Sequence, residues 1–157
     1  MFISKLRVSG FKSFSEDTTI SINSGLNGII GPNGSGKSNV VEAIKWVMGE
    51  NSSKSLRGAG MNDLIFSGSA SKASKNIALV SLILEVDKNI LEDNYKKFLK
   101  DNIIEVERQA IRDSGSTYRI NGKEVKAKDI QYLFADFSSG SRSSNIIDQG
   151  TVGNLVL

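Results

Sequence analysis

Residues 31–38 read GPNGSGKS, which fits G-x-x-x-x-G-K-[ST] with Gly31, Gly36, Lys37 and Ser38 in the defining places. Each type has a job in holding phosphate. Glycines let a loop take positive φ and turn successive N–H groups inward around an anion. Lys37 can bridge β- and γ-phosphates, and the Ser38 hydroxyl can ligate Mg²⁺. A helix starting at Lys37 would aim its unpaired N–H groups and positive dipole end at the same charge.

Such a loop works only between the right elements. Before it stands LNGII, read as a short buried strand ending at Gly31. After it comes an amphipathic helix from about Lys37 to Met48. Val40, Ile44 and Val47 share one face with Trp46 as core, and Gly49 is placed to end the helix. FISKLRV and TTISI read as strands, as does NIALVSLILEV further on. Residues 49–73 are rich in Gly and Ser and predict loop, apart from the apolar island Leu64-Ile65-Phe66. LEDNYKKFLKDN is a short polar helix or an inserted loop. IIEVERQAIRD, STYRING and KEV predict strands joined at DSGS and NG. KAKDIQYLFADF predicts a helix with Ile130, Leu133 and Phe134 inward.

Composition removes several chemistries from this chain. Its 157 residues suit one domain, with 39% apolar and 24% charged residues and a net charge of +3. It has no cysteine and no histidine, which excludes thiolate or imidazole metal sites, disulfides and histidine-based triads within it. The longest apolar stretch is too short for a membrane span, so no membrane partner and a cytoplasmic location are expected.

The segments LRVSGFKSF, GIIGPNGSGKSNVVEAIKWVMGE, SLRGAGMNDLIFSGS, YRINGKEV and NIIDQG occur together in this order. In that order and spacing they resemble the N-terminal head segment of bacterial SMC (structural maintenance of chromosomes) proteins, the chromosome-condensation ATPases. The resemblance runs over essentially the whole chain. It implies an α/β fold, the N-terminal half of an ABC-type P-loop ATPase head. That half would have a mixed sheet with an antiparallel portion and flanking helices. Residues 1–157 would then be one half-head, with the coiled coil, hinge and C-terminal head half outside it.

The resemblance also implies ligands and roles. ATP and Mg²⁺ would be lined by Gly31, Pro32, Asn33, Gly34, Ser35, Gly36, Lys37, Ser38 and Asn39. Lys12 and Ser13 would contact the nucleotide from the end of the first strand. Gln149 would be the Q-loop glutamine near Mg²⁺ and the attacking water. Arg57 would be the head arginine that approaches the nucleotide and is tied to DNA-stimulated hydrolysis. Lys37, Gln149 and Arg57 are thus the catalytic candidates, and Ser38 and Gln149 the metal candidates. Ile65 packs either near adenine or in the core. The stretch SSGSRSS before NIIDQG departs from the family in its serine content. Only a phosphate contact by Arg142 is carried over from it, and Asp148 stands where the family often has an acid. Expected partners are DNA, the C-terminal half of the same head, a second copy through hinge and heads, and a kleisin subunit. The expected cellular place is the nucleoid.

An ABC-type site needs two further pieces, an apolar strand ending in Asp-Glu and an LSGG-type signature, and neither occurs in this sequence. Glu85 and Asp87 follow an apolar strand but read as its solvated end. ATP hydrolysis is therefore expected of a completed head, and weak binding with essentially no turnover of this chain alone. Lys5, Arg7, Lys12, Lys54, Arg57, Lys72 and Lys75 are candidates for backbone contacts to DNA. Competing readings are an SMC-like DNA-repair ATPase, an ABC transporter nucleotide-binding subunit and a self-contained nucleotide-binding module.

Overall fold

The period-two segments assemble into one sheet. The computed structural model describes residues 2–25, 27–49, 60–89, 91 and 93–138. Its strands are β1 (Phe2–Ser9), β2 (Thr18–Ser21), β3 (Ile77–Glu85), β4 (Ile103–Ile111), β5 (Gly115–Ile120) and β6 (Lys123–Val125). They pair in the order β2-β1-β3-β4-β5-β6, and every pairing is antiparallel. The α/β class and the antiparallel portion stand as expected. The parallel pairing that a mixed sheet requires does not occur among the described residues.

One face of the sheet is the core face. Leu6 and Val8, then Val80, Leu82 and Leu84, then Ile104 and Val106, then Tyr118 and Ile120 all point inward and are buried. Against β3 and β4 lies α1 (Lys37–Val47), which buries Val40, Ala43, Ile44, Trp46 and Val47 as its spacing demands. A helical turn, α2 (Asp93–Lys96), resolves the ambiguous LEDNYKKFLKDN. The last described element is α3 (Ala127–Ser138), with Ile130, Leu133 and Phe134 buried. Its start is fixed by Asp129, whose Oδ2 accepts from the Lys126 N–H at 2.9 Å.

The opposite face is mixed, with Ser81 and Ile83 of β3 buried in its middle. One row runs Thr19–Arg7–Ser81–Glu107–Arg119 across five strands. Arg119 donates to Glu107 at 3.1 Å, and Arg7 pairs with Glu105 at 3.6 Å. Such half-exposed pairs contribute little to stability.

The strand expected at LNGII does not form. No ladder includes residues 27–30, Ile29 is 48% exposed and Ile30 is 96% exposed. The reason is partnership. A strand is stable only beside another strand, and none of the six described strands pairs with this segment.

Gly10 closes β1 with φ of +64°, and a Cβ placed on it would lie 2.1 Å from the Ile77 carbonyl oxygen. Both the left-handed backbone and the contact with main chain oppose any side chain. Gly10→Ala should therefore lower stability by about 3 kcal/mol in urea unfolding. A midpoint unchanged from wild type would show that the strand end relaxes freely.

Candidate nucleotide-binding site

Gly34 and Gly36 have φ of +81° and +90°, so the loop turns as the motif requires. Gly36 is the residue before α1, and no side chain caps the helix. No acidic residue occupies the first turn either, so the N-terminal N–H groups face the loop without a competing carboxylate. Lys37 folds back over the loop, donating to the carbonyl oxygens of Gly31 and, at 3.0 Å, Pro32. Pro32, Asn33, Gly34 and Ser35 are exposed, while Gly36, Lys37, Ser38 and Asn39 are half-buried at the helix start. A Cβ on Gly31 would come within 2.6 Å of Ser35 Oγ, a measure of how tightly the loop closes on itself.

A second wall comes from the turn after β1. Ser13 Oγ accepts from Asn39 Nδ2 at 2.8 Å, and a Cβ on Gly36 would lie 3.2 Å from that oxygen. The turn is stitched to a segment some fifty residues away. Phe11 bridges Ile65, the Lys12 N–H donates to Leu64 O at 2.7 Å, and the Phe66 N–H donates to Gly10 O at 2.7 Å. Phe11 also packs on Trp46, with ring centroids 5.4 Å apart. FKSF, DLIF and the phosphate loop thus form one unit. Ile65 is buried in this unit and takes the core alternative, not the adenine one.

Lys12 is turned toward the helix. Its φ is +46°, and its ammonium donates to Glu42 Oε2 on α1. Of the other cations proposed for DNA, Lys72 pairs with Glu16 at 2.8 Å, and Arg7 pairs with Glu105. The hydrogen bond from Lys72, followed by its charge, holds the Glu16 carboxyl below its ordinary range. Glu85 and Asp87 are exposed at the end of β3. Arg57, Lys54, Arg142, Asp148 and Gln149 lie outside the described residues.

Sequence reasoning missed Arg108. It is 2% exposed, with its guanidinium 4.6 Å from the ring centroids of both Trp46 and Tyr118. Nη1 donates to Trp46 O at 2.9 Å, at the C-terminal end of α1, and Nε and Nη2 reach Ser116 Oγ at 3.2 and 3.1 Å. A cation there suits the negative end of the helix dipole. Burial pushes the guanidinium below the usual arginine range, with Tyr118 opposing, and burial pushes the Tyr118 phenol up. The available signal was a charged residue at an inward position of β4, between Val106 and Ala110.

The donor set fits a polyphosphate: inward-turning loop, uncapped helix start and a lysine over both. No cluster of three or more metal-ligating carboxylates occurs among the described residues. A magnesium ion would be held there through Ser38 and the phosphates themselves. A shallow trough of about 680 Å³ between Arg7, Asp17, Thr18, Lys75 and their neighbours on β1–β3 lies elsewhere.

Loop, helix and sheet together have the arrangement of a P-loop fold. The family model described as RecF/RecN/SMC N terminal domain matches residues 2–141. The chain belongs to that family. It is 44% identical over 156 residues to the Chromosome partition protein Smc of Cereibacter sphaeroides, covering 99% of this chain and 13% of that protein's length. A crystal structure of the SmcHead bound to the C-winged helix domain of ScpA is similar at a TM-score of 0.84 and 28% identity. That match covers 99% of this chain and 47% of the other. A structure from work on ATP-driven dimerization and DNA stimulated activation of SMC ATPases gives a TM-score of 0.84 at 27% identity. It covers 99% of this chain and 91% of that one.

Proposed function

We propose that this chain is the nucleotide-holding half of an SMC-type ATPase head, binding Mg·ATP through Gly31–Asn39 with Ser13 as a side wall. The observation that carries the reading is the uncapped start of α1 beneath a loop already closed by Lys37. Bound magnesium would offset the charge between the β- and γ-phosphates. The chain's own part is to grip the phosphates with loop and helix N–H groups and to place the Lys37 ammonium against them. Gln149 and Arg57 would complete the site near the γ-phosphate.

Engagement of two such heads would convert binding into movement of DNA in chromosome partition, and a kleisin subunit would join them. The named partition relatives, the ScpA-bound head and the ATP-driven dimers support this reading. DNA contacts would be to the backbone, through Lys5 and Lys75 and the loop cations, at the nucleoid. Binding should weaken steeply with salt. The C-terminal half of the head would supply the Asp-Glu strand and the signature motif. It would also offer a neighbour to Ile29 and Ile30, the apolar pair left without one.

Calorimetry with Mg·ATP and a phosphate-release assay test this together. We expect weak binding and no steady turnover by the chain alone. Turnover should appear when a separately expressed C-terminal head half is added. Turnover by the chain alone, abolished in Lys37→Ala, would refute the half-head reading.

A further inference from the structure

An asparagine followed by glycine is chemically labile, because no side chain shields the glycine nitrogen from the carbonyl carbon of the asparagine side chain. The sequence holds three such pairs, Asn27–Gly28, Asn33–Gly34 and Asn121–Gly122. The fold treats them differently. Asn121 is tied at both ends of its amide: Nδ2 donates to the Phe98 and Ile103 carbonyls, and Oδ1 accepts from the Glu105 N–H at 2.7 Å. Asn27 Nδ2 donates to Asn23 O at 2.7 Å and Gly25 O at 3.1 Å, and its Oδ1 accepts from the Asn23 N–H at 3.2 Å, all at the surface. The Asn33 side chain is exposed and bonds to none of the described residues. The Gly34 N–H, whose nitrogen would attack, likewise donates to none of them. The Ser35 N–H closes this turn instead, donating to Pro32 O at 3.2 Å with Gly34 at φ +81° in the third place.

The reaction needs only the loop and water. Hydroxide takes the proton of the Gly34 N–H, and the nitrogen attacks Cγ of Asn33. A C–N bond forms, the Cγ–Nδ2 bond breaks, and Nδ2 takes a proton from water and leaves as ammonia. Water then adds to one or the other carbonyl of the cyclic imide. One opening leaves aspartate at 33. The other leaves isoaspartate, with Cβ now part of the main chain. Nothing is oxidised or reduced.

Resting on the reading of Gly31–Asn39 as a nucleotide site, we propose that Asn33–Gly34 is a spontaneous deamidation site, open while the phosphate loop is empty and shut while it holds a polyphosphate. A bound polyphosphate recruits the Gly34 N–H as a donor and so withdraws the attacking nitrogen. Filled sites persist, and empty ones age. The isoaspartyl product lengthens the main chain by a carbon, which pulls the N–H groups of Gly34 and Ser35 out of convergence. Both products add a carboxylate where phosphate charge must sit.

Peptide mapping by mass spectrometry follows the conversion in the intact chain held in warm, mildly alkaline buffer. Asn33 should convert about tenfold faster than Asn121, whose amide must first break partly buried hydrogen bonds, with Asn27 between them. Saturating Mg·ATP should slow Asn33 by about tenfold and leave the other two unchanged, while sodium chloride at equal ionic strength should not protect. Converted chain, separated by ion exchange, should bind Mg·ATP about tenfold more weakly in calorimetry. Asn33→Gln, whose longer side chain does not close the same ring, should lose none of its own starting affinity over the same incubation. Equal conversion at Asn33 and Asn121 overturns the proposal. So does unslowed conversion in a chain that calorimetry shows to be loaded with Mg·ATP, or converted chain that binds as tightly as fresh chain. Fastest conversion at Asn33 in a folded chain that binds no nucleotide at any age would instead overturn the reading of the site, and with it the protection, while the labile pair stands.

Discussion

Lys37→Ala should lower affinity for Mg·ATP by about a hundredfold while leaving the fold intact. Two charge-assisted hydrogen bonds from the ammonium to phosphate, at about 1.5 kcal/mol each, give about 3 kcal/mol, or two decades in binding. The protein without ligand loses much less. Lys37 is half-buried, and its acceptors, the Gly31 and Pro32 carbonyls, lie at the solvent side of the loop, where water replaces the ammonium. Lys37→Arg should not restore binding, because a planar fork does not fit where a compact ammonium bends back over a closed loop. Calorimetry paired with a thermal melt checks both halves. Unaltered ATP affinity in Lys37→Ala would remove the phosphate role.

Arg108→Ala should cost about 3–5 kcal/mol of stability, the largest single loss expected away from the glycines. The substitution opens a cavity between the Trp46 and Tyr118 rings. It also removes a charged donor to Trp46 O, the Gly49 N–H at 3.2 Å remaining. Arg108→Met should lose less, since it refills the slot without the donors. Arg108→Lys should fail to rescue, because an ammonium neither stacks in the plane nor reaches Ser116 and Trp46 together. Urea midpoints give the order, and a loss under about 1 kcal/mol in Arg108→Ala would show the stack to be incidental.

The same cluster fixes a pH response. The folded state holds the Tyr118 proton more tightly than the unfolded chain does, because burial raises its pKa. Its contribution is therefore fully present below the ordinary tyrosine range, about pH 10, and fades as pH climbs through the raised value.

What the sequence disclosed followed the range over which its signals act. The phosphate loop was readable because glycine, lysine and serine within eight positions determine both its conformation and its ligand. The helices 37–47 and 127–138 and the strands were readable from periodicity, which survives in any one segment. Ile29 and Ile30 misled because an apolar run says that a segment seeks burial, not that a partner is at hand. The joining of Phe11 to Ile65 lay out of reach, since a bridge across fifty positions leaves no local mark. Lys12 was read toward phosphate, and its pairing with Glu42 depends on a left-handed turn that lysine rarely adopts.

Trp46 is the single tryptophan of the chain. Its indole is buried, faces the Arg108 cation on one side and leans on the Phe11 ring on another. Light emitted by this protein on excitation of tryptophan therefore comes from one place: the far end of the helix whose near end meets the phosphate loop.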